Sequence, residues 1–185
     1  EQRFGLFQRR DVQEMRLGPL SAKACTQFAS TFLPDQEELG KNIAAQSEGH
    51  PIFLEELIRT AKNDGAPRLT TETLLAVHGP QISQWPTDAL QALRLASLVG
   101  ETFWFGAVMA LLGDSGTETE LRPLFDQFVT SGIIARRRVS RIPNEAEYMF
   151  AQASMRLALL MSWTEDDQRL GKNLAKQWLH QRGIE

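Results

Sequence analysis

Apolar residues recur along this chain mostly at helical spacing, and the recurrences mark out a series of short helices. The clearest stripe is Phe53, Leu54, Leu57, Ile58 and Ala61, at i, i+1, i+4, i+5 and i+8. It predicts a helix opening at Pro51, because proline fits the first helical position, where no amide is needed. Upstream, Ser21 has the chemistry of an N-cap for a helix through Phe32, with Ala22, Ala24, Cys25, Phe28 and Ala29 as its apolar face. Pro34-Asp35 opens a further helix over about 35–47, and Gly49 closes it. Residues 12–17 have the pattern of a short edge strand. The run Asn63-Asp64-Gly65-Ala66-Pro67 breaks the pattern and is the expected domain boundary.

A second helical group follows. A short helix is expected over about 71–77, stopped by Gly79-Pro80. Thr87 is the expected cap of a helix over about 88–99, where Leu90, Leu93, Leu95, Ala96, Leu98 and Val99 surround the axis. A helix apolar on all sides is a central one. Residues 103–112 predict another helix, closed by Gly113. Thr117-Glu118-Thr119-Glu120 is a capping box for the next. There Leu121, Leu124, Phe125, Phe128 and Val129 form the stripe, and Ser131-Gly132 ends it. Residues 133–139 and 147–150 alternate like two strands around a Pro143-Asn144 turn. Helices over about 151–162 and 165–181 complete the chain. The last carries Glu165, Asp166 and Asp167 at its positive end, with Leu170, Leu174, Ala175, Trp178 and Leu179 as its stripe. The fold class is therefore mainly α with a small β-hairpin, and three helices followed by a hairpin is the order of a winged helix.

Composition narrows the function classes. At 185 residues the chain has room for one ordinary domain or two small ones, with a core that needs no disulfide or metal. A net charge of −3 gives no general attraction to nucleic acid or anionic membrane. The single cysteine, Cys25, excludes an intrachain disulfide and fits a reducing, cytoplasmic setting. No apolar run approaches the roughly 20 residues of a membrane span.

Searches for catalytic chemistry return little. Gly40-Lys41 and Gly171-Lys172 lack the leading glycine of a phosphate-binding loop, and asparagine follows each lysine. His50, His78 and His180 lack metal-ligand spacing. Glu37-Glu38, Glu55-Glu56 and Asp166-Asp167 are adjacent pairs, which diverge by about 100° on a helix and so do not converge on a substrate. In a winged helix, the helix over about 118–130 would be the one to enter DNA. Glu118, Glu120, Arg122 and Asp126 leave it a formal −2, which opposes phosphate. Arg136, Arg137, Arg138 and Arg141 give the hairpin the opposite sign. They suit a solvated or acid-paired hairpin, a nucleotide or protein contact, or DNA.

Four segments in order carry a resemblance. They are RLGPLS at 16–21, SEGHPIFLEELI at 47–58, LQALRLASLVGETF at 90–103 and FAQASMR at 150–156. Together they resemble the STAND-type signalling ATPases, AAA-related relatives of bacterial LuxR-type regulators and of the ATPase segments of some adenylate cyclases and Ser/Thr kinases. The resemblance implies that residues 1–18 are the tail of a nucleotide-binding core whose Walker segments lie upstream. Residues 19–63 would be a helical lid, 68–162 a winged-helix domain, and 163–185 the start of a following helical region. It implies a non-catalytic regulatory segment that responds to ATP or ADP held by the missing core. The partners would be that core and a downstream helical or effector domain, with DNA disfavoured and no membrane.

Residue by residue, Gly49 and Pro51 match a G-x-P feature that lies beside the adenine in related lids. His50 stands where relatives often have asparagine, and is read as a bystander. The family pattern F-R-H-A-x-x-R is matched by Phe150, Ala153 and Arg156. Ala151 and Gln152 replace its Arg and His, and glutamine carries no charge for sensing phosphate. The implied nucleotide-contacting residues are thus Gly49, Pro51, Gln152 and Arg156. Arg156 has a plainer reading as the partner of an acid such as Glu147. The alternative functions are a winged-helix DNA-binding transcription regulator and a protein-interaction scaffold without nucleotide.

Overall fold

The computed structural model describes residues 17–113 and 116–184. The chain divides between Arg68 and Leu69 into two units, each with its own contacts. All of residues 12–17 except Leu17 lie outside the described residues, and Leu17 is irregular and exposed.

The first unit contains α1 (Ala22–Phe32), α2 (Glu37–Gln46) and α3 (Pro51–Asp64). The Ser21 hydroxyl accepts from the Ala24 amide, satisfying one of the unpaired donors at the start of α1. Cys25, Ala29, Ile43, Leu54 and Leu57 are sealed from solvent, with Phe53 and Ile58 beside them. The α3 stripe is buried throughout. The α1 face is narrower than its pattern predicts. Phe28 is 41% exposed and packs on Phe32 at the helix surface, while the buried residues of α1 are Cys25 and Ala29, the latter lying beside Gly40 of α2. Gly65, with φ of 75°, ends α3.

The second unit begins with α4 (Thr71–Ile82) and α5 (Thr87–Val99). The expected stop at Gly79-Pro80 is wrong. Pro80 removes one amide, but it sits in the last turn, and the Gly79 carbonyl is still satisfied by the Ser83 amide at 2.8 Å. Thr87 is the first residue of α5 rather than its cap, since Pro86 holds the extended cap position. As its pattern implies, α5 is central and packs on several neighbours. Gly171 of the last helix has no room for a side chain, because an added Cβ would stand 2.6 Å from Leu98.

A strand, β1 (Thr102–Trp104), precedes α6 (Phe105–Leu112), so the helix expected from 103 starts two residues late. Phe103 and Trp104 are buried as sheet residues. α7 (Glu118–Thr130) starts on its capping box: the Glu120 carboxylate accepts from the Thr117 amide at 3.0 Å and hydroxyl at 2.8 Å. These bonds hold the Glu120 pKa below the ordinary carboxylate range. β2 (Ile134–Arg136) and β3 (Glu147–Phe150) follow. The sheet order is β1-β3-β2, all antiparallel, with Phe103 opposite Tyr148 and Ile134 opposite Phe150. The expected first hairpin strand is shorter than 133–139, and Val139 lies in the loop, 80% exposed.

α8 (Ala153–Leu160) and α9 (Glu165–His180) close the unit. The Thr164 hydroxyl caps α9 by accepting from the Asp167 amide. The buried face of α9 is Gly171, Ala175 and Trp178. Leu170 and Leu174, placed in its stripe by spacing, are 62% and 42% exposed. The small Gly171 brings the helix close to α5 along one line and turns those leucines outward. Among the described residues, no helix is long and apolar enough to cross a membrane.

Candidate functional site

The Gly49 turn is built from three neighbouring residues. Ser47 is fully buried; its hydroxyl donates to the Ala44 carbonyl at 2.8 Å and accepts from the Gly49 amide at 3.3 Å. Glu48 and Gly49 then both take positive φ, 53° and 76°. The reversal lets Gly49 meet the segment ahead of α1, where the Leu20 amide donates to the Gly49 carbonyl at 2.8 Å. A side chain at 49 would have its Cβ 2.5 Å from the Leu20 carbonyl oxygen and 2.9 Å from Pro19 Cβ. Glycine is therefore required twice, by conformation and by contact. Gly49 is buried, so what it offers is a fixed backbone rather than an open surface.

Pro51 is the exposed first residue of α3, and no side chain caps that helix. Its start thus retains the positive end of the helix dipole. His50 packs its ring on Phe53, centroids 4.8 Å apart, and its Nδ1 is buried without a hydrogen-bond partner.

Gln152 and Arg156 belong to the second unit, at the start of α8. The Gln152 side chain is exposed and makes no hydrogen bond among the described residues. Arg156 is half-buried, and its Nε donates to the Ser97 carbonyl at 3.1 Å. Burial pulls its pKa down, and the charge of Glu101 partly offsets this. The expected pairing of Arg156 with Glu147 does not occur. Glu147 lies on β3 and is taken by Arg137 at 3.1 Å and Arg141 at 3.3 Å. The Phe150 amide also donates to the Glu101 carbonyl at 3.0 Å. Segments 90–103 and 150–156 are therefore joined at two points, just as 16–21 and 47–58 are joined at Gly49.

Sequence reasoning missed several residues that shape these sites. Leu20 acts through a contact far along the chain, with Gly49, and Ser47 is one of many serines with no pattern to mark it as buried. Glu147 is a single acid in an alternating strand, with nothing local to mark it as buried. Glu145 accepts from the Gly106 amide at 3.3 Å, and Gly106 has no space for a Cβ between Glu145 and Trp178.

Other chemistry is structural. His78 Nε2 and Ser154 Oγ lie 2.9 Å apart, but at 4% and 3% exposure the pair is closed to a substrate and ties α4 to α8. Both glycine-lysine pairs are helical, and Lys41 is engaged by Glu37 and Glu38. Asp166 pairs with Arg169, and Asp167 binds the Thr164 hydroxyl. No group of three metal-ligating residues occurs among the described residues. Comparison with protein-family models finds no match, and comparisons with curated proteins and with solved structures find none either.

Proposed function

We propose that the chain is the non-catalytic regulatory segment of a STAND-like signalling ATPase. In this reading the first unit is the helical lid and the second is built on a winged-helix plan. The segment is a conformational switch driven by ATP or ADP bound to a core ahead of it, coupled to an effector. One observation carries the reading. The four segments that carry the resemblance meet in pairs, 16–21 with 47–58 at Gly49 and 90–103 with 150–156 at Ser97 and Glu101. Residues that only filled surface would have no reason to meet.

The residue roles differ from those the family pattern implies. Gly49 supports a wall made of backbone. Pro51 adds an apolar ring at a helix start favourable to negative charge. Gln152 is a free neutral hydrogen-bonding group, suited to a base or ribose as much as to phosphate. Arg156 is a positioning residue that holds the start of α8 to the end of α5.

DNA binding has one observation in its favour, the side chains of Arg136 and Arg138, which have no ion-pair partner among the described residues, and the acids of α7 oppose it. A scaffold without nucleotide would need the same packing but no response to ADP. ADP titration of a polypeptide carrying the core together with this segment tests the reading. Pro51→Ala with Gln152→Ala is expected to weaken ADP severalfold. Equal affinity with and without the two changes rejects the nucleotide contact.

A further inference from the structure

An arginine stands three residues ahead of a serine at two places, Arg94 before Ser97 and Arg137 before Ser140. The fold treats the two serines oppositely. Ser97 lies inside α5 at 0% exposure, and its hydroxyl donates to the Arg94 carbonyl at 2.6 Å. Ser140 is partly exposed in the irregular loop after β2 and, with Arg137 and Arg138, lines an open cleft of about 320 Å³. Its Oγ accepts from Trp104 Nε1 at 3.3 Å and from the Ile142 amide at 3.2 Å. Both bonds are long, so releasing the oxygen costs little. Its proton has no acceptor among the described residues. No backbone amide or carbonyl of residues 138–140 is hydrogen-bonded among the described residues. Drawing these three residues into another protein's cleft therefore breaks no backbone bond. Arg138 is exposed and makes no ion pair among the described residues. Arg137 holds Glu147 at 3.1 Å with 46% of its own side chain exposed.

We propose that Ser140 is a phosphorylation site, modified by a serine/threonine kinase whose acidic substrate groove reads Arg137 and Arg138. Kinases select substrates by charge pattern, and arginines ahead of a serine complement a groove lined by carboxylates. In the reaction the Ser140 Oγ forms a bond to the γ-phosphorus of ATP. The bond from that phosphorus to the β,γ-bridging oxygen breaks, and ADP leaves. The hydroxyl proton passes to a carboxylate of the kinase. The product has a place to be read. The Arg141 guanidinium lies over the Trp104 ring, 4.8 Å from its centroid, and the Ser140 Oγ is bonded to the nitrogen of that same ring. A phosphate on this oxygen carries about −1.5 to −2 charge at pH 7 and places three acceptors beside the ring that Arg141 covers. Its charge offsets the formal +2 that four arginines against two glutamates give 136–147. The site does not depend on the nucleotide reading.

Incubation of the folded whole chain with magnesium-ATP and an arginine-directed serine/threonine kinase tests the proposal, with site and stoichiometry read by mass spectrometry. Incorporation at Ser140 approaching one phosphate per chain is expected, with none at Ser97. Ser140→Ala is expected to abolish it. Arg138→Gln removes a side chain without an ion-pair partner and is expected to slow the modification severalfold. R137Q/R138Q, with native helicity checked by circular dichroism, is expected to slow it about tenfold or more. An acid-directed kinase is expected to leave Ser140 unmodified. The proposal is overturned by an absence of incorporation at Ser140, by an equal rate in a folded R137Q/R138Q protein, or by equal modification of Ser97 and Ser140.

Discussion

The Gly49 turn of the first unit and the 136–147 hairpin of the second are both irregular segments held to one geometry, by opposite means. At Gly49 a missing side chain lets two backbones touch, and the contact is a neutral amide bond. In the hairpin a side chain is inserted. The Glu147 carboxylate gathers two arginines and a backbone amide around one buried point. The first device tolerates no added volume and is indifferent to salt. The second tolerates changes of volume but not of charge, because a buried hydrogen-bonding centre leaves its partners unsatisfied when removed.

Gly49→Ala is the most direct way to break this contrast. The left-handed backbone and the contact with Leu20 together are expected to cost about 3 kcal/mol, seen as loss of the first unit's helicity in urea with the second unit intact. Glu147→Ala is expected to cost about 2 kcal/mol, its partners being half-exposed arginines. Glu147→Gln keeps the shape and loses the charge, so a loss close to that of alanine shows that charge is what holds the hairpin. Gly106→Ala combines the two devices, with a Cβ placed 2.6 Å from a carboxylate oxygen and 2.9 Å from Trp178. Both neighbours are side chains that can shift, so about 1 kcal/mol is expected, less than at Gly49.

The smallest effect is also easy to read. Tyr148 is the chain's only tyrosine, and its burial raises the phenol pKa above 10.0. Its ultraviolet titration should therefore begin later than that of free tyrosine. A raised folded pKa means that this group's contribution is full below about pH 10 and fades as pH rises through the folded value. A midpoint at or below that of the unfolded chain would show that Phe103 and Phe125, which pack on the ring, do not shield the phenol.

The parts of the fold legible in sequence are those whose cause is local. The Ser21 cap, the capping box at Thr117 and the α3 stripe each lie within a few residues of their effect. β1 was hidden because Thr102 to Leu112 is an almost unbroken apolar run, which does not distinguish strand from helix. Pro80 misled because a proline's effect depends on how much helix follows it. At the candidate site, the helix break at Gly49 and Pro51 could be read from residue type. Its contact with Leu20, 29 positions away, could not. Arg156 was recognisable as a residue in need of an acceptor. That the acceptor is a carbonyl at the end of α5 rather than Glu147 follows from sheet register, which no local pattern records.

Cys25, sealed at 0% exposure on the buried face of α1, gives the first unit its own clock. A thiol reagent cannot reach its sulfur until the core of the first unit opens. The rate of labelling at low reagent concentration therefore reports openings of that unit. With one cysteine in the chain, each modified molecule records one such excursion, and no event in the second unit contributes to the signal.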